Sequence, residues 1–184
     1  LERFLKIYAN HPNIGYAEYL LGLCYYEQIV DEKKDLESII NSKKIFSNVL
    51  KKYPNTDFAT DAEFKLDLIN DILAAKEMYI GRYYFDKKKW IAAINRFRTI
   101  TDDYETTIYI EEALHRLVEI HYIIGLEEEA KKYANLLGYN YDSSDWYKKS
   151  YSIFDKMYDE NKVTKILKKD KNNSIIEKFK SLFN

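Results

Sequence analysis

A histidine and a glutamate at helical spacing are the residues of this chain that come nearest to a reactive site. The 184-residue chain has three histidines, His11, His115 and His121. His115 and Glu119 are four positions apart, so on a helix they lie on one face and could share a metal with His121 nearby. However, neither HExxH, nor a phosphate-binding loop, nor a nucleophile elbow occurs. We therefore expect no catalytic residue, metal or cofactor and no enzyme activity, and the histidine metal site remains a minor alternative.

The charge and the residue composition of the chain exclude further classes of function. The net charge is −1, and we expect no nucleic-acid partner because nucleic acid requires a clustered positive face. The single cysteine, Cys24, excludes an internal disulfide, and we expect it to be buried beside Gly22. No run of eighteen apolar residues occurs, so no membrane-spanning helix is expected.

A helix-pair motif repeats along the chain. Its central copy reads Ile80-Gly81-x-x-Tyr84, and thirteen residues after Ile80 begins Ala93-x-x-x-Phe97. A second copy, with the same thirteen-residue step, runs from Leu117 to Ala130. Upstream, Leu21-Gly22-x-x-Tyr25 is followed by Ser42-x-x-x-Phe46 after eight additional residues around the charged run at 31–35. Glycine permits the close approach of a second helix, and the aromatic residues fill the space between them. These copies predict an all-α fold, a tetratricopeptide-repeat α-solenoid of antiparallel helix pairs with a C-terminal capping helix.

The breaks between apolar periods predict the domain organisation. We expect a half repeat at 1–12, full repeats at about 13–54, 55–105 and 106–142, a capping helix at 144–158, and a Lys-rich tail with an amphipathic helix at 159–184. The second full repeat should contain one long helix over 58–85, capped by Asp57 or by Thr60-x-x-Glu63. Gly138 should end the second helix of the last repeat, and Ser143-Ser144-Asp145 should cap the helix after that repeat. The tail either packs on the last repeat or docks on a partner or a membrane surface.

A solenoid of this type binds partners on the concave side lined by its first helices. We assign residues to this side by their helical spacing from the glycine of each motif. The predicted groove is aromatic with a few charged residues, and such a groove suits an extended peptide or another domain. Its candidate residues are Tyr16, Tyr19, Leu23, Tyr26, Met78, Arg82, Phe85, His115, Glu119 and Tyr122. The alternative is that the long helix or the tail fills this groove.

Four segments of the chain also resemble the BamD family, the lipoproteins of the outer-membrane β-barrel assembly machine of Gram-negative bacteria. They are HPNIGYAEYLLGLCYYEQI at 11–29, YPNTDFATDA at 53–62, KEMYIGRYYFDKKKWIAAINRF at 76–97 and EEALHRLVEIHYIIGLEEEAKKYANLLGYNYDSSDWYK at 111–148. The resemblance extends over about 1–151 and includes the additional residues at 31–37 and the long helix. It implies a five-repeat protein, of which this chain holds the C-terminal three and half of the second.

The resemblance also implies partners and a location. The expected partners are the last periplasmic POTRA domain of BamA, bound through the C-terminal repeats, and other assembly-machine lipoproteins such as BamC. Outer-membrane protein clients are associated with the N-terminal repeats, most of which are outside this chain. The implied location is the periplasmic face of the outer membrane, through a lipid on an N-terminal cysteine that Cys24 cannot be, because Cys24 lies within a helix. Arg96, Arg98 and Arg116 are further candidates for the BamA contact.

A different tetratricopeptide adaptor, of the cell envelope or the cytosol, is the alternative function. One type of such adaptor clamps a carboxylate with Lys, Asn and Arg side chains that line the groove. The predicted groove contains only Arg82 of that set, so this type is disfavoured.

Overall fold

The computed structural model describes residues 1–29 and 36–154, which form helices joined by turns. Eight helices follow one another in these ranges: α1 (Glu2–Ile7), α2 (Ile14–Tyr26), α3 (Leu36–Lys52), α4 (Asp57–Asp86), α5 (Trp90–Asp103), α6 (Ile110–Ile123), α7 (Glu127–Asn140) and α8 (Asp145–Phe154). No strand occurs in the described ranges, so the prediction of an all-α fold is confirmed. The charged run at 31–35, the end of the capping helix at 155–158 and the tail at 159–184 lie outside them.

The helices pack as successive antiparallel pairs. The most extensive contacts join α2 with α3, α4 with α5, and α6 with α7, and each pair continues into the next through α3–α4 and α5–α6 contacts. A helix pair cannot bury its apolar face alone, and stacking covers that face with the next pair. The result is the tetratricopeptide-like solenoid that the repeat motif predicts.

The motif glycines lie where the two helices of a pair come closest. A Cβ atom on Gly22 would lie 2.7 Å from Cε1 of Phe46, and one on Gly81 would lie 2.6 Å from Cε1 of Phe97. Both phenylalanines are completely buried. The spacing of glycine and phenylalanine in the sequence is thus the spacing of two partners in one helix crossing.

Helix α4 is much longer than its neighbours because no breaker interrupts its apolar pattern. Its 30 residues extend about 45 Å. The first half packs on α3, through Ala62 and Ile69, and the second half packs on α5, through Met78. The predicted cap is wrong: α4 follows Thr56, and neither Asp57 nor Thr60 provides a cap. The Thr56 hydroxyl instead donates 2.8 Å to the Tyr53 carbonyl and stabilises the turn before the helix.

Of the two predictions for the end of the last repeat, the helix stop at Gly138 is wrong and the cap of α8 is correct. Helix α7 does not end at Gly138 but continues to Asn140. The glycine serves packing rather than termination, because a Cβ atom there would lie 2.7 Å from Cε2 of Tyr147 in α8. The cap of α8 is confirmed at Ser144, whose Oγ accepts a 3.0 Å hydrogen bond from the Tyr147 N–H.

Helix α8 leans toward the concave side of the solenoid. Helices α4 and α6 each pack mainly on the second helix of the pair before them, whereas α8 packs more on α6 than on α7. Its Trp146 and Tyr147 cover Leu114 and Leu137, and its Ile153 and Phe154 cover Val118 and Ala134. Helix α8 therefore covers part of the surface on which the sequence predicts a groove.

Candidate functional site

The concave side of the last two helix pairs carries a cluster of charged and aromatic side chains. Arg82 comes from α4, Glu112, His115, Arg116 and Glu119 come from α6, and Ser150 comes from α8. We call this set of six residues the polar cluster. It joins three helices that are not paired as hairpins, and it lies along the side of the solenoid that the repeat architecture leaves open.

Arg82 and Glu112 form the link between α4 and α6. Arg82 Nε donates 2.9 Å to Oε1 of Glu112, and Arg82 Nη2 donates to Oε2 of the same carboxylate. The pair is bidentate, the geometry in which guanidinium and carboxylate match best. The Glu112 side chain is 10% exposed and that of Arg82 is 49% exposed. The carboxylate of Glu112 is thus shielded from water, whereas part of the Arg82 side chain remains at the surface.

Arg116 occupies the centre of the polar cluster. Its Nη1 donates 2.6 Å to Oε2 of Glu119, while its Nε lies 3.5 Å from Oε1 of Glu112, an ion-pair distance without hydrogen-bond alignment. The guanidinium carbon is 5.1 Å from the ring centroid of Phe85 and 5.9 Å from that of Trp146. Cation–π contacts with rings from α4 and α8 therefore hold Arg116 between two helices.

His115 connects α6 to α8. Its Nδ1 is 2.7 Å from the hydroxyl of Ser150, both residues are buried, and its ring is 5.1 Å from that of Trp146. Its Nε2 is 3.5 Å from Glu119. His115 is only 4% exposed, so its prediction as a groove residue is wrong, because α8 covers it. No group of three metal-ligating side chains is found among the described residues, and His115 is held by protein partners instead.

The electrostatics of the polar cluster keep its carboxylates charged. Burial would raise the pKa of Glu112, but the hydrogen bonds from Arg82 and the positive charges of Arg82 and Arg116 outweigh burial and hold its pKa below the ordinary value. Burial opposes ionisation of Glu119 as well, and His115 and Arg116 likewise lower its pKa. Glu112 and Glu119 are therefore fixed negative charges near neutral pH.

The exposed rim beside the polar cluster is cationic and aromatic. Lys149 Nζ lies 4.1 Å from the ring centroid of Trp146, which is half-buried, and Phe85 is half-buried beside Trp90. We define the docking surface as Arg82, Phe85, Arg116, Trp146 and Lys149. Half-buried aromatics with arginine are the side chains that contribute most at protein interfaces. Such a surface can bind another protein, and its rigid charges can orient that protein.

The N-terminal half of the concave side is an aromatic cluster. The ring centroids of Tyr16, Tyr19 and Phe58 are each about 6.0 Å apart. The Tyr19 hydroxyl donates 2.7 Å to Oδ2 of Asp61, and burial followed by this hydrogen bond raises the pKa of Tyr19 to about 12. Of these side chains Tyr16 is exposed, with 49% of its surface accessible.

The other groove residues predicted from the sequence are buried or half-buried. Met78 is wrong as a groove residue, because its side chain is completely buried in the core cluster that the second half of α4 forms with residues of α5 and α6. Leu23, Tyr26 and Tyr122 are half-buried and pack on core clusters, with one edge accessible.

The remaining arginines lie on the second helix of their pair. Arg96 Nη1 donates 3.0 Å to Glu77, and Arg98 is exposed. Both belong to α5, whereas the docking surface is built from α4, α6 and α8.

Cys24 is exposed, so the expectation that it is buried beside Gly22 is wrong. Two positions along a helix differ by about 200°, so Cys24 lies on the opposite side of α2 from Gly22, which faces α3.

Glu112 and Trp146 were not predicted from the sequence as residues of this site. Glu112 and Arg116 are four positions apart on one helix, a spacing typical of an ion pair, and this signal was available. The bond from Arg82 to Glu112 spans thirty residues, and no local pattern encodes it.

The architecture and the surface define a class: an all-α solenoid of tetratricopeptide-like helix pairs. Within this class the chain belongs to the BamD family. Its residues 1–136 match the family model YfiO, described as outer membrane lipoprotein. No helix within the described ranges has the length and apolar character needed to cross a membrane.

Curated relatives agree with this family. The chain is 47% identical to the outer membrane protein assembly factor BamD of Rickettsia prowazekii, over 83% of this chain and 61% of that protein. It is 43% identical to BamD of Caulobacter vibrioides, over 83% of this chain and 50% of that protein. The chain thus spans less than two thirds of the length of these relatives.

Proposed function

We propose that this chain is the scaffold part of an outer-membrane protein assembly factor and has no catalytic role. The observation that carries the proposal is the similarity to BamD, which extends over most of the chain at 43–47% identity. A rigid solenoid with a preformed surface suits a scaffold, because little conformational entropy is lost when a partner binds.

The proposed partner is a POTRA domain of BamA, bound at the docking surface. Three observations support this surface over the rest of the chain. It joins three helices, so its geometry is fixed; its aromatics are half-buried rather than solvated; and its guanidinium groups are held by carboxylates. Other assembly-machine lipoproteins are proposed as additional partners. Client proteins are proposed to bind mainly through repeats that precede this chain.

The proposed location is the periplasmic face of the outer membrane, with a lipid on a cysteine of the full-length protein as the anchor. Cys24 is exposed but lies within α2, so it is not that cysteine.

Calorimetric titration of this chain with the POTRA domains of BamA from the same organism tests the proposal. We expect saturable 1:1 binding that weakens at higher salt, because exposed charges contribute. Circular dichroism must show that the chain is folded, and the full-length protein serves as the control. Absence of binding by both folded proteins would contradict the proposed function. Binding by the full-length protein alone would move the site to the preceding repeats.

A further inference from the structure

Two of the four buried core clusters in the described ranges meet at the middle of α4. The first core cluster lies between α3 and the first half of α4 and ends at Leu73; the second lies among the second half of α4, α5 and α6 and begins at Met78. These two residues are five positions apart, so they point about 140° apart around the helix. Helix α4 therefore presents different faces to the two halves of the molecule.

A single side chain in the described ranges packs against both core clusters. Tyr104 follows the end of α5 and contacts the first and the second cluster. From α3, the Nζ of Lys43 lies 4.9 Å from the centroid of the Tyr104 ring. The extensive contacts of α3 and of α5 are with α4 and α6 rather than with each other. Outside α4, Tyr104 is thus the hydrophobic side chain that joins the two core clusters in the described part of the chain.

The boundary between the clusters is polar and incompletely satisfied. Oδ1 of Asn70 is buried and accepts no hydrogen bond from any residue that the structure describes. Glu77 and Arg96 form an ion pair 3.0 Å long at the same level of α4. The amine of Lys43 is partly buried at this boundary, and burial lowers its pKa. Polar groups of this kind add little cohesion compared with the apolar clusters on either side.

We propose that the middle of α4 is the hinge of this solenoid and that Tyr104 sets its angle. The N-terminal unit consists of α1–α3 with the first half of α4, and the C-terminal unit consists of the second half of α4 with α5–α8. Long helices are rarely straight, and the two halves of α4 pack on different helices, so a change in the curvature of α4 moves one unit relative to the other. The angle fixes how the aromatic cluster around Tyr16 and the docking surface are placed relative to each other. This hinge does not depend on the proposed function.

Electron–electron double resonance measures this angle directly. One spin label goes on the native, exposed Cys24 in α2, and the other on a Tyr139→Cys substitution in α7, where the tyrosine is 89% exposed. We expect Tyr104→Ala to broaden or shift the distance distribution, and Tyr104→Phe to reproduce the parent distribution because the ring is retained. Tyr53→Ala is the matched control, since Tyr53 packs only on the first core cluster among those described.

An unchanged distribution in folded Tyr104→Ala would overturn the proposal, as would an equal change in Tyr53→Ala. If Tyr104→Ala does not fold, native-state hydrogen exchange of the parent chain decides the question. We expect the slowest amides of α3 and of α6 to exchange with two different opening free energies, as separate cooperative units do. One shared value for both helices would show a single unit and overturn the hinge.

Discussion

Glu112 of α6 accepts two hydrogen bonds from Arg82 of α4, and this pair directly links the second and third helix pairs on the concave side. The carboxylate is nearly buried, whereas the guanidinium is half in solvent. Loss of either partner therefore has unequal effects: a lone Arg82 can be hydrated, but a lone Glu112 remains close to Arg116 in a site shielded from water.

Replacement of Glu112 by glutamine should destabilise the chain in a pH-dependent way. The pKa of Glu112 is lowered on folding, so its contribution is complete above the ordinary value of 4.5 and is lost as the pH falls through the folded pKa. We expect Glu112→Gln to cost about 1–2 kcal/mol at pH 7. The difference from the parent chain should vanish in acid.

Urea denaturation from pH 7 down to pH 3 measures this difference. Glu128→Gln is the control, because Glu128 pairs with Lys131 at the surface and is 82% exposed. Its effect should be far smaller at every pH. A Glu112→Gln penalty that persists below the pKa would show that shape, not charge, is responsible.

Two glycines that contact aromatic rings at similar distances should respond differently to alanine. A Cβ on Gly81 would meet the completely buried ring of Phe97 at 2.6 Å, and one on Gly138 would meet Tyr147 at 2.7 Å. Phe97 has no room to move, so Gly81→Ala should destabilise the chain by about 1–3 kcal/mol. Tyr147 is half-buried beside an open cavity, and the helix propensity of alanine should offset its displacement, leaving about 0–0.5 kcal/mol.

Thermal unfolding of both variants measures this contrast. Equal destabilisation would contradict it and would mean that Tyr147 is as tightly held as Phe97.

Structural features that depend on residues close together in the sequence were predicted better than features that depend on distant residues. The motif Ile80-Gly81-x-x-Tyr84 predicts that two helices cross within one repeat. In the structure Gly81 lies at this crossing, against the ring of Phe97. Helix α5 carries the Ala93-x-x-x-Phe97 part of the motif, and both residues are buried as the motif predicts. Fold class and pair order are thus available from one sequence.

The exposure of individual side chains was harder to predict from the repeat motif. Met78 and His115 were assigned to the groove by their register from the glycine, but the register assumes repeats of standard length. The long α4 turns Met78 into a shared core, and α8 covers His115. Neither effect is visible in a repeat motif, because both depend on where another helix lies.

The buried bond between His115 and Ser150 should hold α8 in place. Ser150→Ala leaves the Nδ1 of His115 without its 2.7 Å partner, and we expect a loss of about 1–3 kcal/mol. The fluorescence of Trp146 reports whether α8 stays packed on α6, since the Trp146 ring lies 5.1 Å from that of His115. With Trp90→Phe as background, Trp146 is the single tryptophan, and its fluorescence follows α8 during denaturation.

Two comparisons make this test specific. Ser152→Ala removes a hydroxyl that donates only to the Lys149 carbonyl near the surface, so it should change stability little. His115→Phe combined with Ser150→Ala should cost less than the sum of the single changes, because no polar group remains unpaired. Additive losses would show that the two side chains do not act as a pair.

Charge reversal at Lys149 should weaken the proposed binding of a POTRA domain without loss of fold. Lys149 lies at the exposed rim of the docking surface, over the face of Trp146. Rim charges act mainly on the association rate, so we expect Lys149→Glu to weaken binding about 3- to 10-fold at low salt and less at high salt. Lys132→Glu is the matched control, since Lys132 lies on α7, is 68% exposed and pairs with Glu129 away from the docking surface. Calorimetry at two salt concentrations measures all three chains. Equal weakening by both variants would indicate a general effect of net charge, and weakening by Lys132→Glu alone would place the partner on α7 rather than across α4, α6 and α8.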